Sequence, residues 1–139
     1  MRWNVSFKDI KGQDRALSFL RGSLSTGRIG HAYIFHGPGG VGKKLTALNF
    51  AKAANCLAEE AARPCEACAS CKKIASFNHP DLSILMPEKE GASIKIEAIR
   101  GLIKDIGLKP YEGRKKFYII DGAQFMTEEA ANALLKTLE

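Results

Sequence analysis

The sequence lacks any apolar run long enough to cross a membrane, for which about 18 consecutive apolar residues are needed. Residues 1–10 mix charged, polar and aromatic side chains, so they also lack the apolar region of a secretory signal peptide. With 139 residues, of which 45% are hydrophobic and 26% charged, the composition is that of one ordinary globular domain. These absences lead us to expect a cytoplasmic protein without membrane association.

Acidic residues are in short supply, with 15 Asp and Glu against 21 Lys and Arg and a formal net charge of +6. A basic surface suits an acidic partner such as DNA, although net charge by itself is a weak indicator of one. The densest basic cluster, GRKK at 113–116, directly precedes an apolar run. This position favours a solvated entrance to a strand over a nucleic-acid contact.

Apolar residues recur with the periods of strands and helices along most of the chain. Short apolar runs predict buried strands at 31–37, 81–86 and 116–121. Helical spacing predicts a first helix that ends at Gly27, and further helices at 43–56, at 97–106 and after an N-cap at Thr127. The helix at 43–56 should be amphipathic, with an inner face formed by Ala47, Phe50, Ala51 and Ala54.

Strands that alternate with helices predict an α/β fold in three layers around a parallel sheet. Trp3 is expected to pack against the first helix. The final residues, LLKTLE, lie inside a helical pattern, so we expect the chain to be part of a longer protein.

The segment GPGGVGKK at 37–44 matches a phosphate-binding loop except for one missing hydroxyl group. A phosphate-binding P-loop has Gly, four residues, Gly, Lys and then Ser or Thr, between a strand and a helix. The glycines, Lys43 and the flanking elements fit this pattern, and a plain glycine-rich turn is the alternative. Lys44, however, stands where a hydroxyl should hold Mg²⁺, and an ammonium group has no lone pair to give. The pattern predicts the P-loop fold, while Lys44 argues against Mg²⁺ and ATP as cofactors.

An acidic residue at the end of a later buried strand forms the other half of such a site. Asp121 follows the run FYII and has this position, although a simple strand-end turn DG is the alternative interpretation. The candidate nucleotide-binding residues are therefore Gly37, Gly39, Gly40, Gly42, Lys43, Lys44 and Asp121.

Cysteine is scarce and confined to one stretch of 16 residues, at Cys56, Cys65, Cys68 and Cys71. Two linked C-x2-C spacings are typical of a tetrahedral zinc site, and four thiolates leave no open position for catalysis. We therefore predict a structural Zn²⁺, with disulfides, an iron–sulfur cluster, another metal or free thiols as alternatives. His79 lies in a predicted turn, NHPD, and is not expected to be a ligand.

The order and spacing of these segments resemble those of the bacterial clamp-loader subunits of DNA polymerase III. The resemblance rests on FKDIKGQ (7–13), RIGHAYIFHGPGGVGKK (28–44), the four-cysteine insert, NHPDL (78–82) and ANALLKTLE (131–139). It implies that residues 1–139 are the N-terminal part of an AAA+ nucleotide-binding domain, with the zinc module 56–71 inserted after the P-loop helix. Later strands and the lid and collar domains would fall outside this sequence.

The family contains both hydrolytic and non-hydrolytic members. Its tau/gamma ATPases have Ser or Thr after the P-loop lysine and Glu after the strand-end Asp, where this chain has Lys44 and Gly122. At these two positions the chain resembles the delta-prime branch of the family. This resemblance implies a stator without ATPase activity. The expected partners are the tau/gamma and delta subunits, the sliding clamp and primed DNA.

Two alternatives to this non-hydrolytic interpretation stay open. One is an active tau/gamma-type ATPase in which another residue supplies the magnesium ligand. The other is a free-standing zinc module that binds nucleic acid directly. The second is disfavoured because residues 56–71 contain Glu59, Glu60 and Glu66 against a single basic residue, Arg63.

Overall fold

A computed structural model describes residues 6–139, so Trp3 lies outside the described residues and its packing stays a prediction. In this part of the chain the regular elements are α1 (Asp14–Thr26), α2 (Lys43–Asn55), α3 (Ala69–Ala75), β1 (Leu82–Leu85), α4 (Ile96–Ile106), β2 (Phe117–Ile120) and α5 (Glu128–Leu138). Three short 3₁₀ turns, Phe7–Asp9, Glu60–Ala62 and Ala123–Phe125, complete them. Over residues 6–139, no helix is both long and apolar enough to span a bilayer.

The two strands pair in parallel, with Leu82 opposite Phe117 and Leu85 opposite Ile120. Helix α4 is the crossover between them, and it packs together with α5 around a core of Ile94, Ile99 and Ala130. Two of the three predicted strands, those at 81–86 and 116–121, and the α/β class with a parallel sheet are thus confirmed. In the described residues the sheet has only two strands. The structure therefore supports the α/β class with a parallel sheet, and the three-layer arrangement stays a prediction.

Residues 31–37 do not form the predicted strand. They have no ladder partner in the described part of the chain, and Ile34 is 95% exposed. An apolar run becomes a strand only where a neighbouring strand takes up its backbone hydrogen bonds, and periodicity cannot show whether that neighbour is present. Tyr33 and Phe35 still pack against the core of α1 and α2.

Helix α2 is more deeply buried than an amphipathic helix should be. Ala51 and Ala53 are fully buried, and every residue from 48 to 55 is buried. Phe50, Ala51 and Ala54 are thus buried as predicted, but burial is not limited to the predicted inner face. Two elements, α1 and α3, pack on α2, and Phe50 makes edge-to-face contacts with Tyr33 and Phe117. Small alanine side chains let these neighbours approach closely on several sides.

The predicted helix ends agree well with the structure. Gly27 ends α1 in the left-handed conformation, with φ of 67°, which glycine adopts without strain. The Thr127 side chain accepts a hydrogen bond from the Ala130 N–H at 3.2 Å and caps α5 as expected. Helix α4 ends at Ile106, directly before Gly107.

Two buried polar side chains hold the loop before β2. The Asp81 carboxylate accepts backbone N–H hydrogen bonds from residues 111, 112 and 113 at 2.6, 2.9 and 2.6 Å. Asn55 Oδ1 accepts from the N–H groups of Arg114 and Lys115, each at 3.0 Å, and Asn55 Nδ2 donates to the Lys115 carbonyl at 2.9 Å. The loop is therefore fixed although it contains little regular structure.

Two side chains of the basic cluster 113–116, Arg114 and Lys116, make contacts within the fold. Arg114 Nη1 donates to the Cys56 carbonyl at 2.6 Å, and Lys116 Nζ lies 2.8 Å from Asp105 Oδ2. Strand β2 begins at Phe117. These contacts agree with a strand entrance rather than with a nucleic-acid contact.

Because the Asp81 carboxylate holds residues 111–113, the free energy of unfolding should depend on pH in the acidic range. Burial raises the pKa of Asp81, but the three N–H donors outweigh burial and leave it below its usual value. A lowered folded-state pKa contributes stability that is complete above the unfolded pKa of about 3.9 and is lost as pH falls through the folded pKa. We expect Asp81→Asn in the full-length protein to cost on the order of 2–4 kcal/mol at pH 7 by urea unfolding.

The gap between the wild-type protein and Asp81→Asn should narrow as pH falls below about 4, because the wild-type carboxyl is then protonated too. Asp14→Asn is the matched control, since Asp14 is exposed in the first turn of α1. A gap that stayed constant between pH 7 and pH 3 would contradict the assigned role of the carboxylate.

Candidate nucleotide-binding loop and metal centre

The glycine-rich loop leads directly into α2. Gly40 and Gly42 have φ angles of 81° and 91°, and Gly42 is the N-cap of the helix, so these turns need residues without a Cβ atom. Lys43 Nζ folds back over the loop and donates to the Gly37 carbonyl at 2.6 Å and the Pro38 carbonyl at 2.9 Å. The loop is thus closed by its own lysine.

Lys44 makes an ion pair with Asp121. Its Nζ lies 3.1 Å from Asp121 Oδ2, and the two side chains are 24% and 43% exposed. Asp121 follows β2, and its N–H donates to the Leu85 carbonyl at 2.8 Å, which extends the sheet by one step. The two residues at the expected magnesium-binding positions are therefore neighbours in space, and a fixed cation stands beside the acid.

The residue after Asp121 could not readily be a glutamate in this backbone. Gly122 has φ of 89°, and a Cβ atom there would lie 2.9 Å from Phe125 Cδ2. Thr46, the nearest alternative hydroxyl, is buried and donates to the Gly42 carbonyl at 2.7 Å. The loop region thus offers neither a general base at 122 nor an available hydroxyl at 46.

The four cysteines converge on one point. Their sulfur atoms all lie within 4.8 Å of one another, and Cys56 and Cys68 are 4.0 Å apart. A Zn–S bond of about 2.3 Å places the sulfurs of a tetrahedral site roughly 3.8 Å apart, so the donor set fits a metal ion of this size. All four thiols are free of disulfide bonds.

Local backbone structure positions these sulfurs. Cys56 is the C-cap of α2 and Cys68 is the N-cap of α3, whose first turns also hold Cys71. Backbone N–H groups donate to three sulfurs, those of Cys56, Cys65 and Cys68, at 3.2–3.5 Å. Such donors stabilise thiolates, which are the form that binds metal.

The thiols differ in acidity for identifiable reasons. Desolvation raises the pKa of Cys68, but N–H donors on Leu57 and Cys71 outweigh it and bring the pKa to about 6. The N–H groups of Ala67 and Cys68 lower the pKa of Cys65. Burial raises the pKa of Cys71. Of these three thiols, Cys68 and Cys65 therefore ionise more readily than an ordinary cysteine, and Cys71 less readily.

An ion pair joins the cysteine segment to α2. The Lys52 side chain is 1% exposed, and its Nζ lies 2.7 Å from Glu66 Oε2 and 3.0 Å from Oε1. Glu66 has φ of 61°, an uncommon conformation for a residue with a Cβ atom. The pair holds the chain between Cys65 and Cys68 against the helix.

The loop and the cysteines were predicted from the sequence, but the residues that support them were not. Lys52, Glu66, Asn55 and Asp81 all join segments that are distant in sequence. One signal was available, since Lys52 is a lone charge within an alanine-rich helical stretch. Its partner could not be named from spacing.

Comparison with known proteins places the chain in a family. The model of the family "DNA polymerase III, delta subunit" matches residues 12–139. The chain belongs to this family. The resemblance to the clamp-loader subunits of DNA polymerase III, inferred from motif order, is thereby confirmed.

Both branches of these subunits are among the relatives. The chain is 44% identical over 136 residues to DNA polymerase III subunit delta' of Bacillus subtilis (strain 168). This alignment covers 97% of the chain and 40% of the relative. The chain is 41% identical over 135 residues to the tau/gamma subunit of Haemophilus influenzae and to the tau subunit of Escherichia coli (strain K12). These alignments cover 96% of the chain, but only 19% and 20% of the two relatives. The chain thus spans less than half the length of the curated relatives it matches.

Proposed function

We propose that this chain belongs to a non-hydrolytic, stator-like subunit of the DNA polymerase III clamp loader. The observation that carries the proposal is the contact between Lys44 and Asp121 at 3.1 Å. In hydrolytic P-loop proteins a hydroxyl and an acid at these positions hold Mg²⁺, which neutralises charge on the phosphates. An ammonium group beside the acid repels a divalent cation and competes for the same carboxylate.

The glycine at 122 supports the same proposal independently. Without a glutamate there, no side chain follows Asp121 to activate an attacking water, and the left-handed backbone disfavours adding one. Two separate parts of the hydrolytic machinery are therefore absent at the positions that the family resemblance assigns to them.

In this proposal residues 1–139 are part of an AAA+ domain with a three-layer P-loop fold, and residues 56–71 are its inserted metal module. Zn²⁺ is the proposed occupant because four thiolates in a closed set suit it best. Its role is structural, since the four sulfur donors fill the coordination sphere and leave no position for a substrate or water.

The proposed setting is a cytoplasmic replication assembly of a bacterium. Its partners would be the tau/gamma and delta subunits, and through them the sliding clamp and primed DNA. Support comes from the three relatives compared above, which are DNA polymerase III subunits of bacteria. The nucleotide that drives loading would then be bound by neighbouring subunits.

An active tau/gamma-type ATPase is the alternative function. It is favoured by the 41% identity to tau/gamma and tau subunits, which is close to the 44% for delta'. It is also favoured by the intact glycines and Lys43 of the loop. In that case Asp121 must exchange Lys44 for Mg²⁺ when a nucleotide binds.

Calorimetric titration of the full-length protein with ATPγS, with and without Mg²⁺, distinguishes the two functions. We expect weak or undetectable binding that is indifferent to Mg²⁺, because Lys44 already occupies the carboxylate of Asp121. Lys43→Ala serves as the control, since it removes the phosphate-reaching lysine of the loop. Tight binding that required Mg²⁺ would reject the non-hydrolytic proposal and favour the ATPase.

A further inference from the structure

A small polar cavity lies apart from the glycine-rich loop, between α3 and the loop before β2. Its volume is about 250 Å³, and its polar lining includes Ser70, Lys73, His79, Glu112 and Arg114. None of these residues belongs to the nucleotide-binding candidates or to the cysteine cluster. The loop side of the cavity is held in place by Asp81, which accepts the N–H groups of residues 111–113.

Two residues of this lining each have a buried side-chain polar atom that has no hydrogen-bond partner among residues 6–139. These atoms are Ser70 Oγ and His79 Nε2, on residues that are only 6% and 3% exposed. A buried polar group without a partner costs about 1–3 kcal/mol, so such groups are uncommon unless something else satisfies them. Two of them beside one cavity indicate a site that is built to accept a polar ligand.

The histidine can only be a donor toward the cavity. Its Nδ1 accepts a hydrogen bond from the Asp81 N–H at 3.0 Å, so in the neutral ring the proton is on Nε2. Burial lowers the pKa of His79, which favours this neutral form. The nearest carboxylate oxygen, Glu112 Oε1, is 3.7 Å from Nε2 and too far for a hydrogen bond. A protonated Nε2 also excludes metal coordination there.

The charges around the cavity favour an anion. Lys73 Nζ lies 2.7 Å from Glu112 Oε1, and this pair is largely self-neutralising. Arg114 adds a second cation, whose Nη1 donates to the carbonyls of Ala54 and Cys56. Two cations against one carboxylate leave the lining with an excess positive charge and an excess of donors.

We propose that this cavity binds a small oxyanion of the phosphate class, which accepts hydrogen bonds from His79 Nε2 and Ser70 Oγ and is attracted by Lys73 and Arg114. Its volume falls below the 300–1,000 Å³ or so of ordinary small-molecule pockets, so a phosphate group fits and an entire nucleotide does not. The proposal is independent of whether the glycine-rich loop binds nucleotide.

Titration of the full-length, ¹⁵N-labelled protein with inorganic phosphate tests the site, at ionic strength matched with potassium chloride. We expect saturable shifts of the His79 Nε2 resonance and of the Ser70 and Glu112 amides. A parallel titration with a short single-stranded oligodeoxynucleotide identifies the source. The same shifts would mean that a backbone phosphodiester can enter, and their absence would restrict the site to free phosphate.

Three variants make the test specific. Ser70→Ala removes an unsatisfied hydroxyl, so we expect it to fold as well as the wild-type protein, to keep its metal, and to bind phosphate about tenfold more weakly. Lys73→Met should weaken binding by at least as much, since it also frees Glu112 to repel the anion. The control is Lys72→Met on the exposed side of α3, with an expected change of less than about twofold.

Two results would overturn the proposal. The first is the absence of saturable shifts with either titrant, which would mean that water alone satisfies the two buried groups. The second is an equal effect of Lys72→Met and Lys73→Met, which would reduce phosphate binding to a general attraction by the basic surface. Neither result bears on the non-hydrolytic function, which is tested separately with ATPγS.

Discussion

Lys44→Thr is expected to make ATPγS binding depend on Mg²⁺. The substitution removes the ammonium group that lies 3.1 Å from Asp121 and supplies the hydroxyl that P-loop proteins use to hold the metal. The introduced hydroxyl and the Asp121 carboxylate could then both face a divalent cation at the start of α2. We expect Mg²⁺ to tighten binding of ATPγS by about tenfold or more in this variant, and hardly at all in the wild-type protein.

Lys44→Met is the matched control because it removes the same charge without adding a metal ligand. It should release Asp121 but give a much smaller response to Mg²⁺ than Lys44→Thr. If Lys44→Thr bound ATPγS no better with Mg²⁺ than without it, the ion pair would not be what excludes the metal. The loss of nucleotide binding would then have to lie in the loop backbone.

Lys44→Thr is not expected to hydrolyse ATP, even if it binds the nucleotide with Mg²⁺. Gly122 has a left-handed backbone, and a side chain there would meet Phe125 at 2.9 Å. Adding Gly122→Glu to Lys44→Thr is therefore expected to lower the melting temperature rather than to start turnover. Phosphate release by the double variant at the rate of an ordinary ATPase would show that the backbone can adapt, and would contradict this expectation.

Local signals in the sequence were sufficient for most of the secondary structure. The apolar runs of β1 and β2, the end of α1 at Gly27 and the cap at Thr127 can all be recognised from residues that are close in sequence, and all four were predicted correctly. Residues 31–37 failed because a strand also requires a partner, which a local pattern cannot reveal. Helix α2 differed because packing on several sides, not its own periodicity, decides what is buried.

The candidate sites also combine features that are local in sequence with contacts that only the fold creates. The four cysteines and the glycine-rich loop are close in sequence, so spacing alone located them. The contact of Lys44 with Asp121 joins residues that only the fold brings together. The same is true of His79 and Glu112, whose Nε2 and Oε1 atoms lie 3.7 Å apart and which both line the small cavity. The motif shows that a hydroxyl is missing, but only the structure reveals that Lys44 contacts Asp121.

Cys68→Ser is expected to prevent metal binding and to destabilise the whole domain. A structural zinc site contributes its binding free energy directly to folding. The cysteines end α2 and begin α3, and the Cys56 carbonyl also accepts from Arg114 of the loop before β2. Loss of the metal should therefore lower the melting temperature of the full-length protein by about 10 °C or more, measured by calorimetry together with metal analysis.

Ser70→Ala is the control for this result, because Ser70 lies between two ligands without being one. It should keep one metal ion per chain, and atomic absorption should identify that ion as zinc. Chelation of the wild-type protein should lower the melting temperature as Cys68→Ser does. Added Zn²⁺ should restore the melting temperature of the chelated wild-type protein but not that of Cys68→Ser. If Cys68→Ser and the chelated protein both melted like the untreated wild type, the cysteines would be a reduced cluster without a structural metal. The ion pair of Lys52 and Glu66 would then have to hold the segment against α2 by itself.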